Sequence, residues 1–385
     1  MKKIFYLLFV AAFFASCSSN VEVKVTVENP SDFNRAGDMV EIPASKLEAI
    51  SLKDGEAYVV KDAQGNVLPS QFTYDHKLIF QSGLDAKQSG TFTIAAGAKQ
   101  DFPAKTYGRL ITERKDDFAW ENNRTAFRIY GEALMATDGP SNGIDIWYKR
   151  TEDLVIDKWY KGDLENGQSY HEDHGEGLDD YKVGRSLGGG AMAPYVDGKL
   201  ILNENFTGKP EVLENGPLRT TVRFMYKDIT VNGKTFAECR QISIDADAQY
   251  TKVTQEYGTT EPMKVAAGIA DRNPADSTST IANNEFVIYR EASAKAGDVF
   301  VGLLFPNGME GVESNTYTVD KTVDGKPVKD TYSHMLGITT YQPNTPLVYY
   351  TGYGWSKFGF ANQDEFAEYT ERFAKSLKEP LIIKY

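Results

Sequence analysis

The sequence predicts a mostly β protein, with a small N-terminal β-sandwich followed by a large antiparallel sandwich of two curved sheets and one C-terminal helix. Three observations carry this reading: period-two alternation near the N-terminus, strand-like runs through the rest of the chain, and one apolar stripe at helical spacing close to the end. Between Val21 and Gly97, short segments alternate apolar and polar residues, as in Val21-Glu22-Val23-Lys24-Val25-Thr26-Val27 and Thr91-Phe92-Thr93-Ile94. Asn29-Pro30, Lys53-Asp54-Gly55 and Gln64-Gly65-Asn66 separate them as turns. Residues 17–102 therefore read as one small antiparallel unit. Phe102-Pro103-Ala104-Lys105 is the linker into a second unit, residues 103–385. Strand runs recur there at Thr125 to Tyr130, Leu218 to Tyr226, Thr235 to Ile244, Phe286 to Arg290, Val299 to Phe305 and Leu347 to Tyr353. So many short strands bury a common core as two packed sheets. Asn362-Gln363-Asp364-Glu365 opens the helix with a capping pattern, Phe366, Tyr369, Phe373 and Leu377 share one face, and Pro380 closes it.

The first residues are of another kind. Met1-Lys2-Lys3 is positive, Ile4 to Ala12 is apolar, and Phe14-Ala15-Ser16-Cys17 supplies small residues ending in cysteine. The pattern resembles a bacterial lipoprotein signal. It implies that residues 1–16 are removed and that lipid on Cys17 anchors the chain at the cell envelope, in the outer membrane, with either face open. The apolar run is shorter than the roughly 20 residues of a transmembrane helix. Cys239 is then the one free thiol, expected as a small core hydrophobe. Without Lys2 and Lys3 the chain carries 40 basic against 54 acidic residues, a net −14. Such acidity argues against a nucleic-acid partner.

Four histidines occur in 385 residues, and two of them lie in Tyr170-His171-Glu172-Asp173-His174-Gly175-Glu176, just before Asp179-Asp180-Tyr181-Lys182. Imidazole titrates nearest neutrality, so a loop holding two of them beside carboxylates and a phenol can donate and accept protons at physiological pH. Surface loops also gather polar residues without any catalytic reason. No cofactor is implied, with one alternative: a divalent metal on His171, His174, Asp173 and Glu176, although His-x-x-His in a glycine-bearing loop lacks the helical spacing of zinc proteases. His334 reads as a satisfied core histidine and His76 as a turn residue. Asn122-Asn123 fits a turn before a strand, and Arg124 with Arg128 a solvated strand face.

Several motifs together resemble a family of Bacteroidota lipoproteins classed as a domain of unknown function. They are the leader, Asn29-Pro30-Ser31-Asp32, Trp120-Glu121-Asn122-Asn123-Arg124-Thr125-Ala126-Phe127-Arg128-Ile129-Tyr130-Gly131, the histidine segment, Gly188-Gly189-Gly190, and Gly352-Tyr353-Gly354-Trp355-Ser356-Lys357. The resemblance covers nearly the whole mature chain. It implies a galactose-mutarotase-like β-supersandwich, to which Glu214-Asn215-Gly216-Pro217-Leu218-Arg219-Thr220 adds a similar turn into a central strand. It also implies genes that lie beside those of polysaccharide-degrading enzymes.

Supersandwich polysaccharide lyases cleave uronate-containing chains with an asparagine, a histidine, a tyrosine and an arginine. Matched by residue type alone, Asn122, Asn123 and Arg124 are expected to bind and neutralise the uronate carboxylate, His171 or His174 to act as base, and Tyr181 as acid. Trp120, Trp147 and Tyr170 supply aromatic surface for the sugar. The expected function is β-elimination on an acidic oligosaccharide, by a lyase or dehydratase. Two other readings stay open. A glycoside hydrolase would draw on Glu172, Asp173, Glu176, Asp179 and Asp180, and a glycan-binding lipoprotein would need no catalysis. Acidic and basic residues balance between Asp101 and Ala133, which favours a short substrate over a long polyanion.

Overall fold

The computed structural model describes residues 21–276, 279–323 and 326–385; the leader and Cys17 lie outside the described residues. Alternation in the first segment produces a sandwich. One sheet orders Ile382–Lys384, Glu22–Glu28, Ser89–Ala98, Glu56–Lys61 and Val67–Leu68, and the other orders Met39–Pro43, Lys77–Gln81 and Ser70–Phe72. Val25 and Val27 of the first strand are fully buried with Val40, Ile42, Phe80 and Ile94, while the intervening residues face outward. The last strand of the chain pairs here, with Thr26 opposite Lys384, a contact that a division at residue 102 does not anticipate.

The second unit is the large sandwich. Its eight-stranded sheet runs Thr207–Asn215, Arg219–Met225, Glu238–Asp245, Tyr250–Tyr257, Leu347–Trp355, Gly297–Leu304, Phe286–Ser293 and Thr280–Ala282. Opposite lie two five-stranded sheets. One orders Gly177–Leu178, Asp145–Lys149, Ala126–Ile129, Asp117–Asn122 and Thr106–Ile111; the other orders Lys199–Leu200, Gly189–Val196, Met263–Ala270, Lys326–Tyr341 and Gly311–Val323. They meet at a parallel bridge between Ile144 and Gly188, where Gly189 N donates to Ile144 O at 2.7 Å. Gly188 has φ +61°, and a Cβ there would overlap the Ile144 carbonyl, so this junction requires glycine. Between the layers Phe118 meets Phe224 edge-on at 5.3 Å, Phe127 meets Tyr353 at 5.7 Å, and Tyr148 packs on Trp355 at 5.8 Å.

The predicted C-terminal helix is Gln363–Lys378. Asn362 Oδ1 accepts from Glu365 N at 3.0 Å while Glu365 Oε2 accepts from Ala361 N at 2.8 Å, a reciprocal cap. Phe366 is buried against Tyr250 and Phe300 on the outer face of the eight-stranded sheet. A second helix, Ile156–Asn166, was not expected from the sequence. Its N-terminus is held by buried Glu121, whose Oε1 accepts from Val155 N and Ile156 N at 2.7 and 2.8 Å, while Lys149 Nζ lies 2.7 Å from Oε2. A carboxylate from a distant strand thus caps a helix too short to declare itself locally. Cys239 is only partly buried in its strand, so the core role expected of it is incomplete; its thiol is pushed up to about 11, chiefly by burial.

Replacing Asn362 with alanine is expected to lower stability by about 1 kcal/mol, read as a shifted urea midpoint with unchanged slope. An unmoved midpoint would show that sheet packing alone fixes the helix.

Candidate active site

The site begins with one strand. In Ala126–Ile129 the alternation that sends Phe127 and Ile129 into the main core sends Arg128 to the opposite face, where it is 3% exposed. Its guanidinium lies 2.6 Å from Asp145 Oδ2 and 2.7 Å from Asp179 Oδ2. Tyr130 OH donates to the same Asp145 oxygen at 2.9 Å, and the rings of Trp147 and Tyr170 lie 5.2 and 5.7 Å from the cation. A buried cation between two carboxylates and three aromatic rings is stable only because each partner remains in place.

This cluster forms the floor of a cleft of about 960 Å³. The walls are the loop from His171 to Ser186, the turn from Ala270 to Pro274, and Asp330 to Ser333 on the long hairpin Gly311–Val323 and Lys326–Tyr341. Asp179 ties floor to wall. Burial pushes its carboxyl up to about 7 against the pull of Arg128, and the charge of nearby Asp145 adds to the shift. Its backbone oxygen is 2.8 Å from His171 Nδ1 and its Oδ2 is 3.5 Å away. A carbonyl can only accept, so Nδ1 carries the proton and neutral His171 has its basic lone pair on Nε2. The imidazole is half-exposed and lines the cleft.

Tyr181 and Arg272 complete the wall. Tyr181 is 4% exposed, and burial holds its hydroxyl well above the usual phenol range against the opposing influence of Arg272. Arg272 lies over the ring at 4.4 Å, pairs with Glu291 at 2.6 Å, and donates to the Lys182 carbonyl. Glu291 is pushed up to about 7 by burial, with Arg272 opposing and Asp180 adding to the shift. Tyr181 lines the cleft while its hydroxyl oxygen is itself buried.

His171 and Tyr181 therefore share one cleft, but the other expected residues do not join them. His174 faces a separate small recess with Trp159 and Glu176, its Nε2 3.1 Å from Ser169 O. Asn122 is buried, donating to Asp245 O and Ala248 O and accepting from Arg124 N and Thr125 N. Asn123 exchanges hydrogen bonds with Asp247 at 2.6 and 2.8 Å, and Arg124 pairs with Glu152 at 2.9 Å. None of the three lines the cleft. Four residues of strand, roughly 13 Å, separate Arg124 from Arg128, and the expected carboxylate site at Asn122-Asn123-Arg124 is a structural turn.

Trp120 and Trp147 are fully buried, and Tyr170 is 4% exposed. Trp120 stacks on Phe127, and Trp147 on Trp159 and Tyr170, so these rings are core and offer no open face to a sugar. The metal alternative does not assemble either. Asp173 pairs with Arg150 and Glu176 with Lys158, and among the described residues no group of three His, Cys, Asp or Glu side chains is arranged around an ion. His334 is a core histidine as expected, but only half satisfied, since its buried Nδ1 has no hydrogen-bond partner among the described residues. It is fully buried, its Nε2 accepts from Leu187 N at 3.0 Å, and burial pushes it down to about 4, so it stays neutral. Arg128, Arg272 and Tyr332 were missed as site residues. For Arg128 alone a local signal existed, since an arginine alternating with Phe127 and Ile129 must point away from their core.

Fold and cleft define a mostly β protein of two sandwiches, with a His–Asp–Arg chain in a cleft of the large one. Residues 27–383 match DUF4861, a domain of unknown function, and the chain belongs to that family. It is 30% identical over 406 residues to "Uncharacterized protein P7" of Formosa agariphila, covering 100% of this chain and 99% of that protein. Two solved structures resemble it at 10% identity. One is a protein in the glycosyl hydrolase family 38 from Enterococcus faecalis (TM-score 0.46), the other an alpha-mannosidase from Enterococcus faecalis V583 (TM-score 0.47). The likeness covers 94% of this chain, which spans 47% and 46% of their lengths.

The raised Asp179 carboxyl fixes a pH dependence. The folded protein keeps this proton up to about 7, whereas an unfolded chain loses it near 3.8, so the group's contribution to stability falls as pH rises between those values. The stability margin of wild type over Asp179→Asn is expected to shrink from pH 5 to pH 8 in urea titrations. Parallel profiles would contradict the assignment.

Proposed function

We propose that the protein is a carbohydrate-active enzyme that performs β-elimination on a short, uronate-containing oligosaccharide. The observation that carries this reading is the His171–Asp179–Arg128 chain opening into a cleft. His171 Nδ1–H is held by the Asp179 carbonyl, leaving Nε2 as an oriented base. The Asp179 backbone carbonyl keeps Nδ1–H in place as the imidazolium forms, and Arg128 fixes Asp179.

His171 takes the proton from the carbon beside the sugar carboxylate. The electron pair left behind forms the ring double bond, and the bond from the neighbouring carbon to its oxygen breaks. Tyr181, kept protonated by burial, gives its proton to that departing oxygen. The cations lining the cleft besides Arg128 are Arg272 and Lys182. Arg272 is held by Glu291, so Lys182 takes the carboxylate-neutralising part that the sequence suggested for Asn123 and Arg124, lowering the barrier to forming the carbanion. The acidic members Asp179, Asp180, Asp271 and Asp330 limit the cleft's attraction for a long polyanion, which favours a short substrate. We also propose that Cys17 is lipidated and that the enzyme works at the cell envelope, on the leader pattern alone.

Incubation with uronate oligosaccharides should generate the ultraviolet absorbance of an unsaturated uronate. His171→Ala and Tyr181→Phe are each expected to lower the rate at least about 100-fold, while His174→Ala leaves it near wild type. Undiminished turnover by His171→Ala would overturn the mechanism. Cleavage without the chromophore would move the assignment to the cleft carboxylates and hydrolysis.

A further inference from the structure

We infer that Lys182 and Tyr332 form the subsite that selects an acidic sugar ring, the carboxylate on Lys182 Nζ and the ring face on Tyr332; the inference rests on the cleft being the substrate site. Of the three cations along the cleft, two are committed. Arg128 is divided between Asp145 and Asp179, and Arg272 between Glu291 and the Lys182 carbonyl. Lys182 is exposed, and its ammonium makes no hydrogen bond or ion pair among the described residues. Its backbone is nevertheless fixed, held by Arg272 and flanked by buried Tyr181 and Val183. A flexible cation on an anchored backbone at a cleft wall matches one anionic group without being neutralised beforehand.

Tyr332 supplies the surface that the buried tryptophans cannot. It is partly exposed on the cleft side of the long hairpin, and its ring is positioned from behind by Tyr317 at 5.9 Å, which also stacks on buried His334 at 5.5 Å. Tyr332 OH donates to Asp330 Oδ2 at 3.3 Å. The ring lies across Gly184, where φ is +55° and a Cβ would sit 2.8 Å from the Tyr332 hydroxyl oxygen. Gly184 is two residues beyond Lys182, which brings the ammonium-bearing segment to the edge of the ring. A tyrosine backed by other rings offers one amphipathic face to a sugar, with little side-chain freedom left to lose.

Binding separates this inference from the chemistry. His171→Ala protein, which should not turn substrate over, is titrated calorimetrically with glucuronate, galacturonate and mannuronate disaccharides and their methyl esters. For whichever acid binds, adding Lys182→Met is expected to weaken it about tenfold or more and to leave its ester unchanged. Adding Tyr332→Ala should weaken acid and ester alike by about tenfold, and Tyr332→Phe should restore both. Equal effects of Lys182→Met on acid and ester, or undiminished binding by Tyr332→Ala, would overturn the subsite, as would absence of binding to every acid. Selective binding by a protein that yields no unsaturated product would sustain the subsite while removing the elimination reading.

Discussion

The buried guanidinium of Arg128 is the contact on which the site depends. It joins a strand of the large sandwich to the loop carrying His171 through Asp179, and it shares Asp145 with Tyr130. Deleting one partner of such a cluster leaves uncompensated charge at a cost of about 3–5 kcal/mol. Burial, with neighbouring Asp145 adding to it against the pull of Arg128, raises the Asp179 carboxyl to about 7. The Arg128–Asp179 pair ties the His171 loop to the strand, and the Asp179 backbone carbonyl gives the imidazole one defined tautomer.

Other parts of the molecule repeat this logic of distant charge holding local structure. Glu121, paired with Lys149, caps the N-terminus of the helix Ile156–Asn166, whose Trp159 and Tyr160 cover Trp147. Trp147 in turn lies beside Arg128. The aromatic cluster next to the histidine loop is thus a support for the cation, not a sugar platform. The turn after Met263–Ala270 and the long hairpin line the opposite side of the cleft.

What was legible in the sequence follows from the range of the interactions involved. Strands such as Glu22–Glu28 and the helix Gln363–Lys378 declare themselves because alternation, capping and helical spacing are local. The histidine loop stood out through the scarcity of histidine, and His171 and Tyr181 do line one cleft. Asn122-Asn123-Arg124 misled because residue type carries no direction: Asn122 and Asn123 spend their amides on the Asp245 to Ala248 turn. Arg272 reaches Lys182 from 90 residues away, and Tyr332 comes from a later hairpin still. Such proximity is a property of sheet order, which no local pattern encodes.

The central claim is elimination at a carbon beside a carboxylate, and the fate of solvent oxygen tests it most directly. A uronate oligosaccharide turned over in heavy-oxygen water, with each new reducing end trapped by reduction before it exchanges oxygen and products examined by mass spectrometry, should yield unsaturated fragments with no label at either new end. Incorporation of one solvent oxygen per cleaved bond would mean that water, not the sugar's own electron pair, replaces the departing oxygen, and the account would be wrong.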